Sequence, residues 1–125
     1  MVRGIGIDII EIQRIQRSIE NIGDRFIDKV FTASEIAYCA AKAHRYQHYA
    51  ARFAAKEAMS KALSLGWTGE FRWKDVEITN DPSGQPHITL HGTLRARLAG
   101  ATVMLSMSHS ESHVVAMVLI EDSAS

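Results

Sequence analysis

The chain has 125 residues with 14 basic and 14 acidic side chains, so its formal net charge is zero. This length and a hydrophobic content of 46% predict a single domain over residues 1–125 with its own core. A neutral chain lacks the basic field that attracts nucleic acid, and no apolar run is long enough to span a membrane. Cys39 is the only cysteine and no signal-peptide pattern occurs, so we expect a cytoplasmic protein.

The N-terminal segment alternates isoleucine with glycine, which predicts a β-strand over residues 2–10. We expect the isoleucine side to face the core, and it carries Ile5, Ile7 and Ile9. The glycine side is nearly bare up to Asp8, which leaves room for a close approach. Asp8 has two readings that stay open here: with Glu11 it fits a capping box that opens the next helix, or it belongs to a functional site.

An isoleucine-rich pattern then predicts an amphipathic helix that ends near Gly23. Its polar side carries Arg14 and Arg17, and Arg25 follows just beyond. Acidic residues nearby balance these arginines, so an ordinary solvated surface explains them without any function. Thr32 and Glu35 form a second capping-box pattern, which predicts another helix.

The most informative stretch is residues 52–63, whose Ala, Lys, Glu, Met and Leu predict a helix ending near Gly66. Residues 44–48 form either a short break before it or its first turns. One half of the helix is mostly alanine, so another element can lie close against it. On the other half Glu57 precedes Lys61 by one turn. This pair is commonly a plain surface ion pair, although it also suits acid–base chemistry.

The second half of the chain is predicted to be mostly β-structure. Its elements are a loop (66–70), a strand (73–79), a turn (80–84), a partner strand (87–90), a short helix (93–98) and two final strands (103–108 and 114–120). The last strand is almost continuously apolar, so we expect both its faces to be covered. The strand before it leads to Ser108 and His109, which either bind phosphate or are structural.

The carboxylates Asp8 and Glu57 are the main candidates for chemistry. The sequence contains no phosphate-binding glycine loop, dinucleotide fingerprint or serine-hydrolase elbow. If the first strand packs along the central helix, the two carboxylates meet, and such a pair with room for water suits Mg²⁺. A carboxylate or a bound water would then take a proton from an attacking hydroxyl, and Lys61 would neutralise phosphate charge. Spacing alone does not establish that they are neighbours.

Four segments match the signatures of one known family in order and separation. They are GIGIDIIEI at 4–12, RFAAKEA with KAL at 52–63, WKDVEI with further matches at 73–86, and SMSHS at 106–110. On these segments the chain resembles the holo-[acyl-carrier-protein] synthases, the short 4′-phosphopantetheinyl transferases. The match spans almost the whole chain, and the length suits the short type.

The resemblance implies an α+β fold with a small antiparallel sheet and helices around a long central helix, assembled as a homotrimer with active sites between subunits. It implies Mg²⁺-dependent transfer of 4′-phosphopantetheine from coenzyme A to a serine of apo acyl carrier protein, releasing adenosine 3′,5′-bisphosphate, in fatty acid biosynthesis. Asp8 and Glu57 would hold Mg²⁺, and one of them would activate the serine directly or through water. Lys61 would stabilise the developing phosphate charge.

The resemblance also implies roles for residues outside the metal pair. The coenzyme A site would be lined by Arg52, Lys56, Ser60, Lys61, Ser108 and His109. Arg14, with Arg17 or Arg25, would meet the acidic helix of the carrier. Residues 42–49 match no motif and receive no role.

Three alternatives remain at this stage. The first is a related transferase that acts on carrier domains of polyketide or peptide synthases. The second is a non-catalytic coenzyme A or nucleotide-binding module. The third is a structural oligomer in which Glu57 and Lys61 form an ordinary surface ion pair.

Overall fold

The computed structural model describes residues 1–63 and 71–123, and the loop predicted at 66–70 lies outside these ranges. Its elements in chain order are β1 (Val2–Glu11), α1 (Ile12–Ile22), α2 (Asp24–Val30), α3 (Ala33–Ala40), α4 (Arg45–Leu63), a 3-10 turn (Trp73–Asp75), β2 (Val76–Asn80), β3 (Pro86–Leu90), α5 (Gly92–Arg97), β4 (Ala101–His109) and β5 (His113–Asp122). None of the helices in these ranges is long and apolar enough to cross a membrane.

The strands form two antiparallel sheets, one with the order β1-β5-β4 and one made of the β2-β3 hairpin. In the larger sheet Gly6 of β1 pairs with Val118 of β5, which pairs with Leu105 of β4. The long helix α4 packs on the face to which these residues belong. The predicted α+β architecture, a small antiparallel sheet with helices around a central helix, is therefore confirmed.

Close packing of β1 on α4 depends on glycine and alanine. A Cβ atom added at Gly4 would collide with the carbonyl oxygen of Ala62, and one at Gly6 would collide with that of Ala58. On the helix side, Ala54 and Ala58 are completely buried. The predicted close approach against the alanine half of α4 is confirmed, and the bare side of β1 is the surface that makes it possible.

The prediction that the isoleucine side of β1 faces the core is wrong for the single chain. Ile5, Ile7 and Ile9 are 60%, 59% and 67% exposed, because α4 covers the opposite, glycine-bearing side of the strand. The prediction that both faces of the last strand are covered is wrong for the same reason. Val118 is buried beneath α4, whereas Met117 points to the other face and is 39% exposed.

The two capping-box predictions have different outcomes. At Thr32 both bonds of the box are present, and they join Thr32 to Glu35 at the start of α3. At Asp8 the capping reading is wrong, because Asp8 lies inside β1 and α1 begins only at Ile12. The N-cap of α1 is Glu11, which makes no side-chain capping bond. Asp8 therefore has no capping role to explain its position.

Several local boundaries also differ from the sequence analysis. The short helix α2 was not predicted, and it begins after Gly23, whose φ of 76° turns the chain sharply out of α1. Residues 45–48 are the first turns of α4, and the break before that helix lies at residues 41–44. The strand predicted from Trp73 begins at Val76, because its first residues form the 3-10 turn.

Candidate active site

Asp8 and Glu57 come together where β1 crosses α4. The pKa of the Glu57 carboxyl is raised first by partial burial and then by the negative charge of Asp8, while Lys61 and Arg14 act to lower it. Lys61 completes the group, since its Nζ lies 3.2 Å from Asp8 Oδ1 and donates to the carbonyl oxygen of Ile7 at 3.0 Å. The structure thus brings Asp8, Glu57 and Lys61 into one acid–base cluster.

The carboxylate pair fits Mg²⁺ by its chemistry. Two carboxylates that repel one another are stabilised by a divalent cation between them. Residues 1–63 and 71–123 contain no group of three or more His, Cys, Asp or Glu side chains that could hold a metal. A bound ion at Asp8 and Glu57 would therefore take its other oxygens from water or from a phosphate, which is the usual environment of protein-bound Mg²⁺.

Ser60 and the three arginines predicted to dock a carrier differ in exposure. Ser60 is half-buried and its Oγ donates to the backbone oxygen of Glu57 at 2.7 Å. Arg14 is exposed on α1 and is close enough to Glu57 to influence its pKa. Arg17 on α1 and Arg25 on α2 are also exposed. The arginines predicted to dock a carrier are thus all available at the surface.

A cavity of about 180 Å³ opens beside the first half of α4. It brings together Arg52, Ser108 and His109, three residues predicted to line the coenzyme A site. Tyr38 and His48 also line it, and the sequence analysis gave them no role. Neither lies in a recognisable motif, and only the folded arrangement of α3 beside α4 shows that they belong to this cavity.

The environment of this cavity is positively charged. Arg52 is only 2% exposed, and its Nη2 donates to Asn80 Oδ1 at 2.6 Å. The pKa of His48 is lowered first by burial and then by the charges of Arg52, Lys42 and nearby histidines, including His109. Such an environment favours an anionic ligand.

Lys56 corrects one of the predictions made from the sequence. Its side chain is fully buried and its Nζ lies 2.8 Å from Glu35 Oε1. The same Nζ donates to the backbone oxygens of Trp73 at 2.9 Å and Val76 at 2.6 Å. All three ammonium protons are used, so Lys56 does not line a ligand site and instead ties α4 to α3 and β2.

The carboxylate pair and the cavity lie on different sides of α4. Arg52 and Glu57 are five residues apart on the helix, which places them about 140° apart around its axis. The carboxylate pair lies at β1 and the cavity at the end of β4, and these are the two edges of the larger sheet with β5 between them. The strand spacing separates those edges by about 10 Å.

Comparison with known proteins gives one consistent result. Residues 4–118 match the family model of the 4′-phosphopantetheinyl transferase superfamily. A holo-[acyl-carrier-protein] synthase of Koribacter versatilis is 44% identical over 125 residues, which cover 98% of this chain and 100% of the relative.

Solved structures agree with this assignment. The holo-[acyl-carrier-protein] synthase of Neisseria meningitidis superposes with a TM-score of 0.88 at 34% identity, covering 98% of this chain and 100% of that one. The corresponding synthase of Bacillus anthracis, solved in complex with CoA (3′,5′-ADP), has a TM-score of 0.80 at 36% identity, covering 98% and 99%. The chain therefore belongs to the 4′-phosphopantetheinyl transferase superfamily, within its holo-[acyl-carrier-protein] synthase family.

Proposed function

We propose that this protein transfers 4′-phosphopantetheine from coenzyme A to a serine of apo acyl carrier protein. The reaction is Mg²⁺-dependent and releases adenosine 3′,5′-bisphosphate. It takes place in the cytoplasm as part of fatty acid biosynthesis, and a single domain over residues 1–125 carries it out. The observation that carries the proposal is the cluster of Asp8, Glu57 and Lys61 in a chain of this family.

The chemistry follows from the three side chains. Asp8 and Glu57 would hold Mg²⁺, which when bound neutralises negative charge on the pyrophosphate of coenzyme A. Glu57, which lies near Arg14 where the carrier is proposed to dock, takes the proton of the carrier serine directly or through water. The serine oxygen forms a bond to the phosphorus that carries pantetheine. The bond between that phosphorus and the bridging oxygen of the pyrophosphate breaks, and its electron pair stays on that oxygen in the leaving adenosine 3′,5′-bisphosphate. Lys61 stabilises the charge that develops there.

The cavity beside Arg52 is the proposed site for the nucleotide end of coenzyme A. Arg52, Ser108 and His109 line it, and its positive environment suits the phosphates of that ligand. Ser60 and Lys61 lie on the carboxylate side of α4, where the pyrophosphate has to reach the reacting serine. Lys56 contributes to the site only by fixing the position of α4.

We extend the proposal to a homotrimer with active sites between subunits. The outer face of the larger sheet exposes apolar side chains that a soluble protein normally covers; they are Ile5, Ile7, Ile9, Met104 and Met117. The separation of the carboxylate pair from the cavity within one chain also supports an assembly. In a trimer, the cavity of one subunit would lie beside the carboxylate pair of the next, and together they would form one active site. Sedimentation equilibrium tests this part, and a monomer with full activity would contradict it.

The carrier is proposed to dock on α1. Arg14 is exposed beside Glu57, so an acidic helix of the carrier that contacts Arg14 places its serine near the proposed base. Arg17 and Arg25 extend the basic surface along α1 and α2. Complementary charge of this kind raises the rate of association and fixes the orientation of the partner.

The test is the intact mass of an apo acyl carrier protein after incubation with this protein, coenzyme A and Mg²⁺. We expect the carrier to gain one phosphopantetheine, and we expect a chelator to abolish the gain. If coenzyme A binds but the mass of several carriers stays unchanged, the protein is a non-catalytic binding module instead. If only the carrier domains of polyketide or peptide synthases gain this mass, those domains are the substrate and fatty acid biosynthesis is not the process served.

A further inference from the structure

Arg52 is a buried cation that has no acidic partner among the residues that the structure describes. Its side chain makes no ion pair with any residue in the ranges 1–63 and 71–123, and its buried Nε has no hydrogen-bond partner there. The nearby buried carboxylate, Glu35, is already bonded to Lys56 and to two backbone N–H groups, those of Thr32 and Ile78. A buried charge with only a neutral oxygen for a partner is unfavourable, so another interaction has to stabilise it.

Tyr38 supplies that interaction. The Cζ atom of Arg52 lies 4.2 Å from the centroid of the Tyr38 ring, well within the range of a cation–π contact. Lys42 Nζ lies 4.6 Å from the same centroid, and the ring of His48 meets the Tyr38 ring edge-on at 5.6 Å. One half-buried aromatic ring on α3 therefore contacts three basic side chains, of which Arg52 and His48 line the cavity with it.

The cavity itself has the chemistry of an anion site. Basic and neutral side chains line it, and none of its lining residues in the described part of the chain is acidic. Burial lowers the pKa of His48, and the charges of Arg52, Lys42, His109 and His44, which it faces, lower it further. An anion in the cavity would compensate Arg52 and would favour the protonated form of His48.

We propose that Tyr38 is a positioning residue, whose ring holds the guanidinium of Arg52, with Lys42 beside it, toward a phosphate-bearing ligand in this cavity. Because the three contacts use the ring, its hydroxyl is dispensable. The inference rests on the proposed function, in which that ligand is coenzyme A. It predicts that loss of the ring weakens coenzyme A binding without affecting the steps that depend on Asp8, Glu57 and Lys61.

The test compares Tyr38→Leu with Tyr38→Phe in the full chain. Calorimetry measures the Kd for coenzyme A, and the transfer assay measures kcat and the KM for each substrate. We expect Tyr38→Leu to raise the Kd and the KM for coenzyme A about tenfold, with kcat and the carrier KM unchanged. We expect Tyr38→Phe to stay within about twofold of the wild type, because it keeps the ring.

Each other outcome overturns the inference. An unchanged Kd in Tyr38→Leu shows that the ring does not position Arg52. If Tyr38→Phe raises the Kd for coenzyme A as much as Tyr38→Leu does, the hydroxyl is responsible. If Tyr38→Leu also lowers kcat and the melting temperature and raises the carrier KM, the effect is on the fold. If Tyr38→Leu does not fold, Tyr38→Met serves instead, because it also removes the ring: a Kd raised about tenfold supports the inference and an unchanged Kd overturns it.

The two proposals fail in different ways. A wild-type protein that binds coenzyme A without transferring phosphopantetheine overturns the proposed function, while the Kd values still test Tyr38. If the wild-type protein transfers phosphopantetheine and Tyr38→Leu binds coenzyme A with the wild-type Kd, only the role of Tyr38 is overturned. A wild-type protein that does not bind coenzyme A overturns both.

Discussion

Two lysines on the same helix have opposite environments. Lys56 is completely buried and is paired with Glu35, whereas the Lys61 side chain is 53% exposed and contacts Asp8. Burial lowers the pKa of Lys56, and the adjacent Glu35 carboxylate only partly opposes this effect. The comparison shows that a basic residue in a family motif can serve the fold or the chemistry, and that its solvent access decides which.

The largest expected effect concerns the exposed side. Glu57→Gln removes both a proposed metal ligand and the proposed base, so we expect transfer to fall by at least about a hundredfold with the melting temperature nearly unchanged. The transfer assay and a thermal melt measure the two quantities. The matched control is Glu121→Gln, which changes an exposed carboxylate on β5 and is expected to retain activity.

The same experiment can break the comparison. If Glu57→Gln keeps more than about a tenth of the wild-type turnover, the acid–base role of the cluster is wrong. If it instead unfolds the protein, Glu57 serves the fold in the way that Lys56 does. Asp8→Asn provides an independent check, because the two carboxylates act together in the proposal.

Sequence alone predicted the strand that carries Asp8 and the helix that carries Glu57, because both have clear periodicity and the close approach requires small residues. It misplaced the isoleucine side of β1, since alternation separates two faces without saying which one another element covers. The resemblance also placed Lys56 with Lys61 in the coenzyme A site, because both belong to the motif at 52–63 and the motif does not show which side chain is buried.

Two features had no signal in the sequence. The partner of Lys56 is Glu35, twenty-one residues earlier, and its capping box gave no hint that the same carboxylate also neutralises a buried lysine. Tyr38 and His48 lie outside every motif, so only the packing of α3 on α4 brings them to the cavity.

The second prediction concerns the buried side. Lys56→Met leaves Glu35 buried without its cation, so we expect the free energy of unfolding to fall by about 3 kcal/mol. That loss corresponds to a decrease of about 10 °C in melting temperature. Lys61→Met is the matched control, and we expect it to lose activity while its stability changes by less than about 1 kcal/mol.

A double variant sharpens this result. Adding Glu35→Gln to Lys56→Met removes the uncompensated charge and keeps an acceptor oxygen for one of the two backbone N–H groups, so part of the lost stability should return. If both lysine variants lose stability equally, or if the double variant is no better than Lys56→Met, the buried pair does not have the structural role assigned to it.

The smallest expected effect lies at the cavity and depends on pH. The pKa of His48 is below its ordinary value of 6.5 in the folded protein, so the unfolded chain takes up the proton first as the pH falls. Above its ordinary pKa, His48 therefore has no effect on stability. As the pH falls from that value to the lower pKa of the folded state, His48 makes the folded protein progressively less stable. We expect His48→Gln to lose about 1–2 °C less in melting temperature than the wild type between neutral and mildly acidic pH.

Saturating coenzyme A should narrow this difference, because an anion beside Arg52 favours protonated His48 and moves its pKa back toward the unfolded value. Identical pH slopes for the two proteins without ligand would show that burial and the positive charges around the cavity do not lower the pKa of His48.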